Sequence, residues 1–113
     1  MKRDDSVYIK HILDAISQVE GYLSGKSLAE FMTSKMVQDA VIRQLEIIGE
    51  ATKNLSTVTK TISPEIPWRD IAGMRDILIH QYFGVDLLAV WKSASEELMI
   101  VKQQLLKIQK KIK

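Results

Sequence analysis

Eight apolar residues, Leu87, Trp91, Ala94, Leu98, Val101, Leu105, Ile108 and Ile112, recur at alternating steps of four and three. A strand cannot hold such a series on one face, because its side chains alternate with period two. A helix can, and over three heptads the stripe becomes a seam that other helices or a second chain must cover. At 1.5 Å per residue, a helix over about residues 86–111 is ~39 Å long. The helix expected over 68–83 is shorter, about 24 Å. The end of the long helix is therefore expected to project past a bundle or to pack on another chain.

The remainder repeats the same grammar. Asp4-Asp5-Ser6 supplies capping residues, and Tyr8, Ile12, Ala15, Val19 and Tyr22 then form a stripe broadened by Ile9, Leu13, Ile16 and Leu23. Gly21 and Gly25 weaken the end of that helix, predicted over about 4–24. Ser27-Leu28-Ala29-Glu30 has the spacing of a capping box, which predicts a short helical turn with Phe31 and Met32 inward. A longer helix is predicted from about Ser34 to Leu55, with Val37, Val41, Gln44, Ile48, Ala51 and Leu55 as its seam and Met36, Ala40, Leu45 and Ile47 in support. Glu46, Glu50 and Lys53 are spaced to pair along its surface. Glu50, between Gly49 and Ala51, equally suits an inward position holding a buried arginine. Residues 56–67, rich in Ser and Thr and ending in two prolines, read as the main linker, and Pro67 suits the first turn of the next helix. No strand pattern or internal repeat competes. The expected fold is all-α, an antiparallel bundle of four main helices plus one short extra turn, in a single domain over 1–113.

Composition narrows the chemistry. The 113 residues include no cysteine and two histidines, so disulfides and thiolate sites are excluded and a structural zinc is improbable. Lys2 and Arg3 are followed by Asp4 and Asp5, unlike a signal peptide, and no apolar run reaches the roughly 20 residues of a membrane span. A soluble cytoplasmic protein is expected. The net charge of +2 conceals a basic tail, since residues 99–113 hold Lys102, Lys107, Lys110, Lys111 and Lys113 and no acid. Such a tail suits RNA or an acidic partner, and equally suits a solvated helix end complementing its dipole.

The stretch 68–84 breaks its own apolar stripe. Trp68, Ile71, Leu78 and Tyr82 share one face, yet Arg75 sits among them. Arg75 and Tyr82 lie about 20° apart around the axis, whereas Arg75 and His80 are separated by about 140°. Asp76 and His80 are i,i+4 neighbours, so the carboxylate can fix the imidazole tautomer and favour its charged form. Because Arg75 and His80 diverge, a twofold dimer is one way to bring them together. A local change of helical pitch near His80 is another. A satisfied polar network without catalysis is the plainer reading of the same residues. His11, beside Lys10, reads as structural or solvent-facing.

Arg75-x4-His80-x-Tyr82 matches the R-x4–6-H-x-Y signature of HEPN domains. Leu45-Glu46-Ile47-Ile48-Gly49-Glu50-Ala51, Ile66-Pro67-Trp68, Ile71-Ala72-Gly73-Met74-Arg75, His80-Gln81-Tyr82-Phe83-Gly84-Val85-Asp86 and Val90-Trp91 resemble the HepT-like branch of that family. The resemblance covers about residues 5–100. It implies a homodimeric, metal-independent ribonuclease toxin of a toxin–antitoxin pair, with its cleft between subunits and Arg75 and His80 needed for cleavage of an RNA such as tRNA or mRNA. Asp76, Tyr82 and Glu50 would support the site. The implied partner is a minimal nucleotidyltransferase antitoxin that silences the toxin by transferring AMP onto Tyr82. No cofactor is implied. The rivals are a non-catalytic, nucleotide-binding helical partner of a nucleotidyltransferase and a purely structural dimerisation bundle.

Overall fold

The computed structural model describes residues 5–73 and 86–111, and no strand occurs among them. The helices are α1 (Asp5–Leu23), α2 (Leu28–Thr33), α3 (Lys35–Lys53), α4 (Thr57–Ile62), a helical segment α5 (68–73), α6 (Leu87–Lys92) and α7 (Leu98–Lys111), with one π-helical turn, Ser93–Glu97, between the last two. The chain is therefore all-α over this range. Among the described residues no helix is long and apolar enough to cross a membrane.

The stripes predicted from periodicity are the faces that pack. On α1, Ile9, Ile12, Ala15, Ile16 and Val19 are buried against Val41, Leu45, Ile48 and Ala51 of α3 and Leu98, Val101, Leu105 and Ile108 of α7 in one core. The long C-terminal seam keeps its inward face through the π turn, where Ala94 is buried. Lys102 reaches across to Glu20 of α1 with both carboxylate oxygens 3.1 Å from its Nζ, so this lysine of the basic tail is engaged inside the fold.

Local chemistry sets the boundaries. Gly25 has φ +72°, the left-handed conformation that ends α1 at no steric cost. The capping box before α2 forms as predicted. The Glu30 N–H donates to Ser27 Oγ at 3.1 Å, and the Ser27 N–H donates to Glu30 Oε1 at 2.8 Å. Ser34 then caps α3 through the Val37 N–H.

Several expectations need correction. Met32, expected inward, is 39% exposed, and Met36 is 79% exposed; Phe31 fills the space beside Trp91, with ring centroids 5.4 Å apart. Asp5, the acidic residue of the first turn of α1, also works at long range: its Oδ2 accepts from the Ser56 N–H, Ser56 Oγ and Thr59 Oγ1. The supposed linker contains α4, whose Ser56 cap accepts from the Thr59 N–H at 3.3 Å. The C-terminal helix is interrupted by the π turn, which its heptad spacing did not foretell.

Candidate functional site

The approach to the motif is fixed from both sides. Trp68, 8% exposed, donates its indole N–H to the carbonyls of Ser63 at 2.9 Å and Lys60 at 3.1 Å. Those bonds hold the start of α5 against the end of α4. The Ile71 N–H donates to the Pro67 carbonyl at 3.0 Å, so the proline sits at the helix entrance, where its missing amide costs nothing. At the other side Asp86 Oδ1 accepts from the Leu88 and Ala89 N–H groups and starts α6. Arg75, Asp76, His80 and Tyr82 all fall between these anchors and lie outside the described residues, as do Leu78 of the predicted core stripe and Ile112 of the seam.

Glu50 is described, and it is exposed on α3. It lines a cleft of about 340 Å³ between α1 and α3, with Tyr8, His11, Arg43, Glu46, Ile47 and Ala51 as its other described walls. The inward alternative for Glu50 is thus replaced by a place on a polar cleft wall. Arg43 and Glu46 face each other across 3.9 Å, with side chains 71% and 25% exposed. Tyr8 and His11 meet edge to face, their ring centroids 6.4 Å apart and their planes at 87°.

Tyr8 belongs to the predicted core stripe of α1 and His11 to a structural or solvent-facing position, and neither is a predicted site residue. The signal was available in their i,i+3 spacing and in the i,i+3 and i,i+4 run Arg43, Glu46, Glu50, which puts three charged residues on one line of a helix. Spacing along one helix does not show that these two lines face each other across the cleft. A second cleft, about 270 Å³, lies between residues 65–71 and the C-terminal helices. Its apolar walls include Pro67, Ile71, Leu98, Ile100 and Val101, and it offers less for chemistry. Among the described residues, no group of three or more His, Asp or Glu is placed to hold a metal ion.

Residues 12–108 match the family described as Ribonuclease HepT-like. A "Probable ribonuclease HepT" of Thermococcus cleftensis is 44% identical over 110 residues, a match covering 97% of this chain and 100% of that protein. A Methanocaldococcus jannaschii protein named "Gamma-glutamylcyclotransferase and putative RNase" is 45% identical over 112 residues. That match covers 99% of this chain and 50% of the relative, so the chain spans half the length of that protein. A further M. jannaschii protein, named "Putative RNase", is 40% identical over 111 residues, covering 98% of this chain and 92% of its own. No solved structure matches. With the family match spanning nearly the whole sequence, the chain belongs to the HepT-like ribonuclease family.

Proposed function

We propose that this protein is a metal-independent endoribonuclease of the HEPN type, acting as the toxin of a toxin–antitoxin pair in the cytoplasm. The observation that carries the reading is the coincidence of the family match over 12–108 with an intact Arg75-x4-His80-x-Tyr82 motif inside it. RNA scission without a metal needs a base for the 2′-OH, an acid for the leaving oxygen and a cation for the developing charge. His80 from each of the two subunits supplies the first two, because imidazole titrates near neutrality. Arg75 offers the phosphate a bidentate donor fork. Asp76 orients His80 from one turn away, and Tyr82 and Glu50 shape the site.

Because a helix over this stretch would separate Arg75 and His80 by about 140°, the reading includes a homodimer of antiparallel four-helix bundles in which each site draws on both chains. The exposed apolar side chains Leu88, Met99, Ile100 and Leu106 support it, since an association would remove them from water. The antitoxin is a minimal nucleotidyltransferase that places AMP on Tyr82, where bulk and negative charge exclude the substrate phosphate.

Intact-mass measurement of the protein made with and without its cognate nucleotidyltransferase, followed by an RNA cleavage assay on both samples, tests the scheme. It predicts a mass increase in AMP-sized steps and cleavage by the unmodified sample only. Nucleotide binding without any cleavage would favour the non-catalytic partner.

A further inference from the structure

The cleft between α1 and α3 has the size of a site for one small ligand. Its volume of about 340 Å³ lies near the lower end of the usual range for such sites. A single unpaired nucleotide fits that scale, and a duplex does not.

The hydrogen-bonding character of the described walls indicates which part of a nucleotide belongs there. Arg43 is the one permanent cation on the described walls, opposed by the carboxylates of Glu46 and Glu50. Among the described walls, hydrogen-bond acceptors on Glu46 and Glu50 stand beside a single guanidinium. A base suits the walls better, because ionised carboxylates only accept hydrogen bonds and base edges carry donors.

The bases are not equivalent in this setting. Guanine presents two adjacent donors, N1–H and the 2-amino group, matched to the two oxygens of one carboxylate. Adenine and cytosine present an amine beside an unprotonated ring nitrogen, which would point a lone pair at the second oxygen. Uracil presents one N–H between two carbonyls. Recognition of the Watson–Crick edge of a splayed base is the general mode for single-stranded RNA.

Glu46 is the acceptor best placed for this. Its side chain is only 25% exposed, while Arg43 is 71% exposed and approaches no closer than 3.9 Å. An ion pair that long and that wet contributes little, so the carboxylate keeps most of its accepting capacity. The aromatic rings of Tyr8 and His11 line the same cleft and give a base a face to pack on. Ile47 and Ala51 add apolar surface.

We infer that this cleft is a subsite for an unpaired guanine of the RNA substrate, with Glu46 as the residue that sets the preference. The substrate class rests on the ribonuclease reading, but the base preference is measurable by binding alone. The probes are labelled single-stranded hexanucleotides of uridine carrying one central guanosine, one central adenosine or neither, offered to the full unmodified chain. Fluorescence anisotropy reads binding, and gel analysis of the same mixtures reads cleavage.

The guanosine oligonucleotide is expected to bind roughly tenfold more tightly than the other two, the scale of one good bidentate contact. Glu46→Gln removes that preference while leaving the melting temperature close to wild type, and Tyr8→Leu weakens binding of all three. Equal binding of the three by wild type overturns the inference, and so does a preference that survives Glu46→Gln. A Glu46-dependent preference without cleavage of any oligonucleotide sustains the base site and removes the ribonuclease reading. Cleavage of all three without a binding preference does the reverse.

Discussion

Thr59 Oγ1 donates to Asp5 Oδ2 at 2.5 Å, joining the first turn of α1 to α4 across 54 residues of sequence. The same oxygen accepts from Ser56 Oγ at 2.5 Å and from the Ser56 N–H at 3.1 Å. Asp5 is 8% exposed and Thr59 4%, so these are largely dry contacts to a carboxylate. Hydrogen bonds to a charged group contribute about 1.5–3 kcal/mol, and orphaned donors add to the loss. Asp5→Ala is therefore expected to destabilise the chain by about 2–3 kcal/mol in urea unfolding, and Asp5→Asn by less. A double-mutant cycle with Thr59→Val should return a coupling of about 1 kcal/mol or more. Strict additivity would show that the contact carries no stability.

The capping box makes a pH prediction. The Ser27 backbone N–H, followed by the Ser27 hydroxyl contact, holds the Glu30 carboxyl below its ordinary value of 4.5. A depressed folded-state pKa means the stabilisation is fully present above 4.5 and is lost as pH falls through the lower, folded value. A carboxyl-detected NMR titration should place the Glu30 midpoint below that of an unstructured peptide. Glu30→Gln should flatten the corresponding part of the acid limb, and a Glu30 midpoint at or above 4.5 would contradict the cap.

Trp68 predicts a link between the linker and the motif. Trp68→Phe keeps most of the buried ring but removes the donor that serves the Lys60 and Ser63 carbonyls. The expected cost is about 1–2 kcal/mol, a fall in melting temperature of several degrees for a domain of this size. Because α5 leads directly into the motif, hydrogen exchange in 68–73 should accelerate more than exchange in the centre of α1. Uniform acceleration would mean that the indole bonds do not anchor this segment locally.

Much of the helical framework was legible because burial follows the 3.6-residue period. Ile12, Ala15 and Val19, or Leu98, Val101 and Leu105, are buried where their spacing puts them. Periodicity gives the face but not the length of the partner beneath it, which is why Met36 extends the α3 stripe and is 79% exposed. Helix α4 was hidden for a different reason. Thr57-Val58-Thr59 is rich in β-branched residues of weak helix propensity, and its helix gains long-range bonds to Asp5 that no local window contains. The candidate site divides the same way. The motif is readable as a spacing, whereas the cleft of Tyr8, His11, Arg43 and Glu46 exists only once α1 and α3 face each other.

Cleavage of RNA by Arg75 and His80 is the step on which the proposed function stands. The most direct measurement is single-turnover cleavage of RNA by purified, unmodified protein in the presence of a chelator, comparing wild type with His80→Ala and Arg75→Ala. Cleavage by wild type is expected, with a loss of about 100-fold or more for the histidine variant, the scale of general acid–base catalysis. Cleavage by His80→Ala at the wild-type rate would contradict it.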